Sequence, residues 1–206
     1  MQERDRIILS GLPRTCPDSI AGVSLIRLEF AGVPYQQLSC SYEYVKPEPI
    51  PVHSPFVDNW RLSPVLAKGA GGIAAVCYEK PRYGEWRMIP SDVSGFLNVH
   101  ERTGDKDGRV CLAKRFSLKK AGKWGLAVGH DGGVRVFVDR KPVLDAAACV
   151  NPAVPGRSRA EVTLSRGVHE VEVALDLAEG KGWGFFFQWE RPRGAGKAAS
   201  YPMEAD

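Results

Sequence analysis

From residue 122 onward, apolar and polar side chains alternate with a period of two, which is the pattern of strands that bury one face. In "GKWGLAV" the side chains of Trp124, Leu126 and Val128 share a face, and in "GVRVFVD" Val134, Val136 and Val138 do so, with Arg135 and Asp139 opposite. "HEVEVALDL" sets Val171, Val173, Leu175 and Leu177 against Glu170, Glu172 and Asp176. "GWGFFFQWE" aligns Trp183, Phe185, Phe187 and Trp189, a stripe of rings suited to the middle of a sandwich. Gly-rich breaks at "GHDGG" 129–133, "SRG" 165–167 and "AEGKG" 178–182 predict hairpin turns, the glycines of "GHDGG" accepting positive φ. No helical period runs beyond about two turns, and proline recurs from 47 to 64. The expected fold is all-β: an antiparallel β-sandwich with jelly-roll winding.

A chain of 206 residues can form one such domain. "SLIRLEF" 24–30 and "QLSCSYEYV" 37–45 read as further strands, followed by the Pro-rich "KPEPIPVHSP" 46–55, which is either a crossing between sheets or a linker. Residues 1–55 are thus expected to join the same sandwich, 56–192 to form its body, and 193–206 to be a flexible end. The 28 basic and 24 acidic residues are scattered, so their net charge of +4 is no nucleic-acid footprint; "RPRGAGK" 191–197 reads as a solvated tail. No apolar run reaches the roughly 18 residues that span a bilayer, and "MQERDRIILSG" lacks a signal core. Neither nucleic acid nor membrane is an expected partner, and the chain is either intracellular or a mature or trimmed form. The five cysteines, Cys16, Cys40, Cys77, Cys111 and Cys149, form no C-x-x-C pair and read as buried thiols.

The order of pieces adds a resemblance. "VDNWRLSPV" 57–65, "EWRMIPSDVSGFLNVH" 85–100, "VCLAKRFSLKKAGKWGLAVGHDGGVRVFVDRKPVLD" 110–145 and "VTLSRGVHEVEVALDLAEGKGWGFFFQWE" 162–190 follow one another. This succession resembles the galactose-binding-domain-like jelly-roll modules found beside bacterial polysaccharide-degrading enzymes. It is also similar to the protective-antigen-type carbohydrate-binding domain. The resemblance implies a glycan or polysaccharide partner, a neighbouring catalytic domain, and an extracellular or periplasmic setting. This chain departs from the pattern in two places. It has His130-Asp131-Gly132 where those modules read Asp-Asp-Gly, and Asp139-Arg140-Lys141 where they read Asn-Gly-Lys or Asp-Gly-Lys. The lost carboxylate argues against calcium, which takes six or more oxygen ligands. No metal and no cofactor are expected.

Catalytic signatures are missing from the sequence. "GDKDGR" 104–109 begins like a calcium loop, but Phe116 stands where a bidentate Glu is needed. His53, His100, His130 and His169 lie far apart, no Gly-x-Ser-x-Gly elbow occurs, and Arg191 replaces the first glycine of a phosphate loop. No catalytic residue is assigned and the chain is not expected to be an enzyme. Ligand contacts are instead expected from aromatic rings in loops, on which sugar C–H faces stack while neighbouring polar groups take the hydroxyls. Tyr83 lies in the turn-like "KPRYGEW" between Arg82 and Glu85; Trp86 and Trp60 are either further platforms or core anchors; Asp131 and Arg135 form a second cluster. Three functions stay open: a non-catalytic carbohydrate-binding accessory module, a structural sandwich that docks a neighbouring domain or subunit, and a glycoside hydrolase on the same scaffold.

Overall fold

The computed structural model describes residues 56–82, 84–191 and 201–205, together with two short strands nearer the N-terminus. The chain divides into units Met1–Ile50 and Pro51–Asp206, the boundary falling inside the Pro-rich connector. In the first unit β1 (Ile26–Leu28) pairs antiparallel with β2 (Cys40–Tyr42), Arg27 opposite Ser41.

The second unit is an antiparallel β-sandwich. Its strands are β3 (Trp60–Leu62), β4 (Arg87–Ile89), β5 (Leu97–Asn98), β6 (Arg109–Leu118), β7 (Gly122–His130), β8 (Val134–Val138) and β9 (Lys141–Ala146). They continue with β10 (Ser158–Leu164), β11 (Gly167–Asp176), β12 (Gly184–Glu190) and β13 (Met203–Ala205). One sheet has four strands in the order β10-β7-β12-β5; the other has seven, β4-β3-β6-β11-β8-β9 with β13 also paired to β6. The alternating faces meet as expected: Trp124, Leu126 and Val128 of β7 and Phe185, Phe187 and Trp189 of β12 are buried against Val134, Val136, Val171, Val173 and Leu175 of the larger sheet. Trp60 lies edge-on to Phe185 and Phe187, each at 5.3 Å, and Phe116 meets Trp189 at 5.2 Å.

Several features differ from the sequence expectation. "GHDGG", "SRG" and "AEGKG" are not hairpin turns, because each joins a strand of one sheet to a strand of the other. Gly132 does not have positive φ; it is required because a Cβ there would run into the carbonyl oxygen of Asp176. The tight hairpin is β8–β9, whose turn residues Asp139 and Arg140 both take positive φ, 49° and 69°. Asp139 is anchored there by His169 Nδ1 at 2.6 Å and by the Glu170 N–H at 3.0 Å, which gives His169 a structural role. The end of the chain, expected to be loose, contributes β13, and Glu204 pairs with Lys114 at 2.7 Å.

The outer face of the larger sheet is also covered. Cys111, Phe137 and Ala174 are buried there under Ile73 and Val76, with Leu66, Tyr78 and Trp86 packed alongside. Cys77 and Cys149 are exposed free thiols, contrary to the expectation of burial, whereas Cys111 meets it. Glu172, on the polar side of the "HEVEVALDL" alternation, has 0% exposure. One of its oxygens accepts the Glu79 N–H at 3.1 Å and the other, Oε2, has no hydrogen-bond partner among the described residues. Burial pushes the Glu172 carboxyl up to about 8; the Glu79 N–H and the Arg109 charge oppose that shift, and the charges of Glu79 and Glu170 add to it.

Phe187 is 1% exposed and sits among three rings, so Phe187→Ala should cost about 3–5 kcal/mol in urea unfolding. A loss under about 1 kcal/mol would remove it from the core. Glu172 keeps its proton to about pH 8 when folded and loses it near 4.5 when unfolded. Its contribution to stability is therefore full below that lower value and is lost as pH rises through the upper one. Glu172→Gln, neutral throughout, should gain on the wild type by roughly 2–4 kcal/mol between mildly acidic and mildly alkaline buffer. Parallel pH profiles for the two proteins would show that Glu172 is ionised in the fold.

Candidate functional site

At one end of the four-stranded sheet, where β12 begins, a cavity of about 380 Å³ opens between the loops that carry Asp92, Asp131 and Asn151. Asp131 organises it. The residue lies in the crossing from β7 to β8 and is 5% exposed. Its Oδ1 accepts three backbone N–H groups, from Gly132 at 2.8 Å, Trp183 at 2.9 Å and Gly184 at 3.0 Å. Its carbonyl oxygen accepts the Val150 N–H at 2.6 Å, which draws in the segment that leads to Asn151 and Pro152 on the cavity wall. Gly184 can only be glycine, since a Cβ would strike the Leu97 carbonyl oxygen.

The opposite wall comes from loop 91–96. Asp92 Oδ1 accepts the Ser94 N–H at 2.8 Å, the Ser94 hydroxyl at 2.6 Å and the Phe96 N–H at 3.1 Å. The Ser94 hydroxyl bond, with the backbone N–H groups, holds the Asp92 carboxyl below the usual range. The loop so closed presents Phe96, whose ring lies 5.1 Å from that of Phe186. Phe186 points from β12 away from the sandwich core and also meets Phe56 at 5.3 Å.

Trp183 supplies the largest ring. It was read from sequence as part of the core stripe, but it stands one residue before β12 and is 49% exposed. Its indole N–H is already donated to the Gly180 carbonyl oxygen at 3.0 Å. One ring face is stacked on His100, of the one-turn helix His100–Thr103, at 4.7 Å and 16°. What Trp183 offers the cavity is therefore an apolar π face, with no hydrogen-bonding atom to spend.

His130, beside Asp131, is a framework residue. Its Nδ1 lies 2.8 Å from the Gly132 carbonyl oxygen and must donate to it, which leaves Nε2 to accept the Ser158 hydroxyl at 3.0 Å. Burial pushes its pKa down, in keeping with a neutral ring. In "GDKDGR", Asp107 is taken up by Lys68 at 2.8 Å. Among the described residues, no three His, Cys, Asp or Glu side chains gather as metal ligands.

The residues singled out from sequence do not converge. Trp60 is 0% exposed, with its Nε1 donating to the Val57 carbonyl oxygen, so it is a core anchor and has no face for a ligand. Trp86 packs at the rim of the cluster over the larger sheet. Arg82 and Glu85 are exposed and close a turn through the Glu85 N–H and the Arg82 carbonyl oxygen; Tyr83 lies outside the described residues. Asp131 and Arg135 separate: Arg135 donates to the Val76 carbonyl oxygen at 2.7 Å and faces Asp145 on the larger sheet, whereas Asp131 belongs to the cavity. Sequence reading missed Phe96, Phe186, Asn151 and the exposure of Trp183. One available signal was "SDVSGF" 91–96, an Asx-turn sequence that presents an aromatic residue.

No family model matches the chain, and no curated protein does. Among solved structures, a β-glucuronidase from an uncultured Clostridium species is similar over 73% of this chain and 31% of that one, with 10% identity and a TM-score of 0.47. An anti-sigma factor domain-containing protein is similar over 83% of this chain and 57% of that one, at 13% identity and a TM-score of 0.46. A β-glucosidase from Kluyveromyces marxianus is similar over 66% of this chain and only 16% of that one, with 12% identity and a TM-score of 0.42. The chain thus spans less than two thirds of the length of each. Likeness of this extent bears on neither the ligand nor the activity of this chain.

Proposed function

We propose that this chain is a non-catalytic carbohydrate-binding module, with the glycan seated in the cavity against the open face of Trp183. The observation that carries this reading is the half-exposed indole, backed by His100 and with its N–H already satisfied. Such a ring recognises an apolar surface, and a sugar offers one on its C–H face. Ser94 and Asn151 lie around it to meet hydroxyl groups, and Phe96 and Phe186 extend the apolar floor. A non-catalytic role is supported by the two carboxylates: Asp92 and Asp131 each commit Oδ1 to three hydrogen bonds within the fold. Jelly-roll winding and an accessory position beside a catalytic domain belong to the same proposal.

A second reading has its own observation. Val93 and Val154 are exposed and adjoin cavity residues in the chain, so apolar surface surrounds the site. Surface of that kind also suits a docked neighbouring domain.

Trp183→Ala should weaken binding to whichever member of a polysaccharide panel retains the wild type by about tenfold or more, with the melting temperature within about 2 °C. Undiminished binding by the folded variant places the site elsewhere, and retention on no glycan moves the function to domain docking. Release of reducing sugar by the wild type would make the chain a hydrolase.

A further inference from the structure

We propose that the cavity selects glycans carrying a free amino group, an inference that rests on the carbohydrate-binding role above. The charged side chains that line the cavity have one sign, and Arg157, whose charge acts on the neighbouring His130, lies outside the lining. Asp92 and Asp131 both line the cavity, and no Lys or Arg does so among the described residues, although the chain as a whole carries a formal net charge of +4. Asp131 is buried, and only its Oδ1 is engaged; Oδ2 has no hydrogen-bond partner among the described residues.

A carboxylate oxygen placed in this way is satisfied best by a charged donor. Hydrogen bonds between ionised partners are roughly twice as strong as neutral ones, and more so where water is excluded. An ammonium group answers Asp131 directly, and a cation is also drawn to an aromatic face such as that of Trp183. A hydroxyl could fill the same position without the charge term. A uronate or sulfate group would bring like charge against two carboxylates. The ring of an amino sugar on Trp183, with its ammonium toward Asp131, uses both features of the site at once.

The test is calorimetric titration of the full chain, in mildly acidic buffer, with oligomers of glucosamine, N-acetylglucosamine and galacturonate of equal length. Glucosamine oligomers should bind at least about tenfold more tightly than the N-acetylated ones. Asp131→Asn keeps the Oδ1 acceptor for the three backbone N–H groups and removes the charge, so it should reduce that preference to about twofold or less. Should Asp131→Asn fail to fold, the wild type is titrated in alkaline buffer instead, where the amino group has lost its proton: the preference should fall to about twofold or less, and an unchanged preference overturns the inference. Equal binding of the acetylated and free-amino oligomers overturns the charge inference and leaves the glycan-binding role standing. Tighter binding of galacturonate, or a preference unchanged in Asp131→Asn, also overturns it. Binding of none of the oligomers, together with retention on no polysaccharide, overturns both proposals.

Discussion

Within an otherwise aliphatic core, rings from the two sheets interlock where the sheets meet. Trp60 enters from the larger sheet between Phe185 and Phe187, and Phe116 from the same sheet meets Trp189 and Phe187. Each buried ring removes a large apolar area from water, and edge-to-face packing fixes its orientation as well as its burial. The register of β12 against β7 follows, because a slip by one residue would turn the stripe outward and bring Phe186 and Gln188 into the core. That register also sets the site: with Phe185 and Phe187 inward, Phe186 must face out beside Phe96, and Trp183 must stand at the strand's mouth.

Asp131 transmits the packing to the loops. One oxygen gathers N–H groups from the β7–β8 crossing and from the start of β12, and the main-chain oxygen of the same residue holds the segment before Asn151. Backbone donors that no strand partner reaches are satisfied in this way by a single buried acceptor. The glycines around it are the consequence, since strands and loops approach too closely there for a side chain. The "GHDGG" segment therefore holds the architecture together and also places a carboxylate at the wall of the cavity.

Two of the buried acids, Glu172 and Asp131, have opposite settings. Glu172 lies beneath the segment that covers the larger sheet, with the charges of Glu79 and Glu170 nearby, and burial favours its neutral form. Asp131 is ringed by N–H donors and borders open space. Glu172 is a polar position of an alternating strand and Asp131 a residue of a Gly-rich turn, and neither local pattern reveals the setting that the fold gives it.

The alternation of apolar residues was sufficient to specify an all-β chain, the strands and their inward faces, because period two and burial on one side are local properties of each strand. Trp124, Leu126 and Val128, and Phe185, Phe187 and Trp189, are core residues on that ground alone. Which strands pair is not a local property. "GHDGG", "SRG" and "AEGKG" have the composition of hairpin turns, yet they cross between sheets, since a turn's residues do not encode the partner of the strand that follows. The site was less legible still. Trp60 and Trp183 look alike in sequence, but the first is enclosed by Phe185 and Phe187, while the second falls one residue short of its strand and stays half open. Tertiary structure decided between them because a ring becomes a binding surface only where packing leaves one of its faces uncovered.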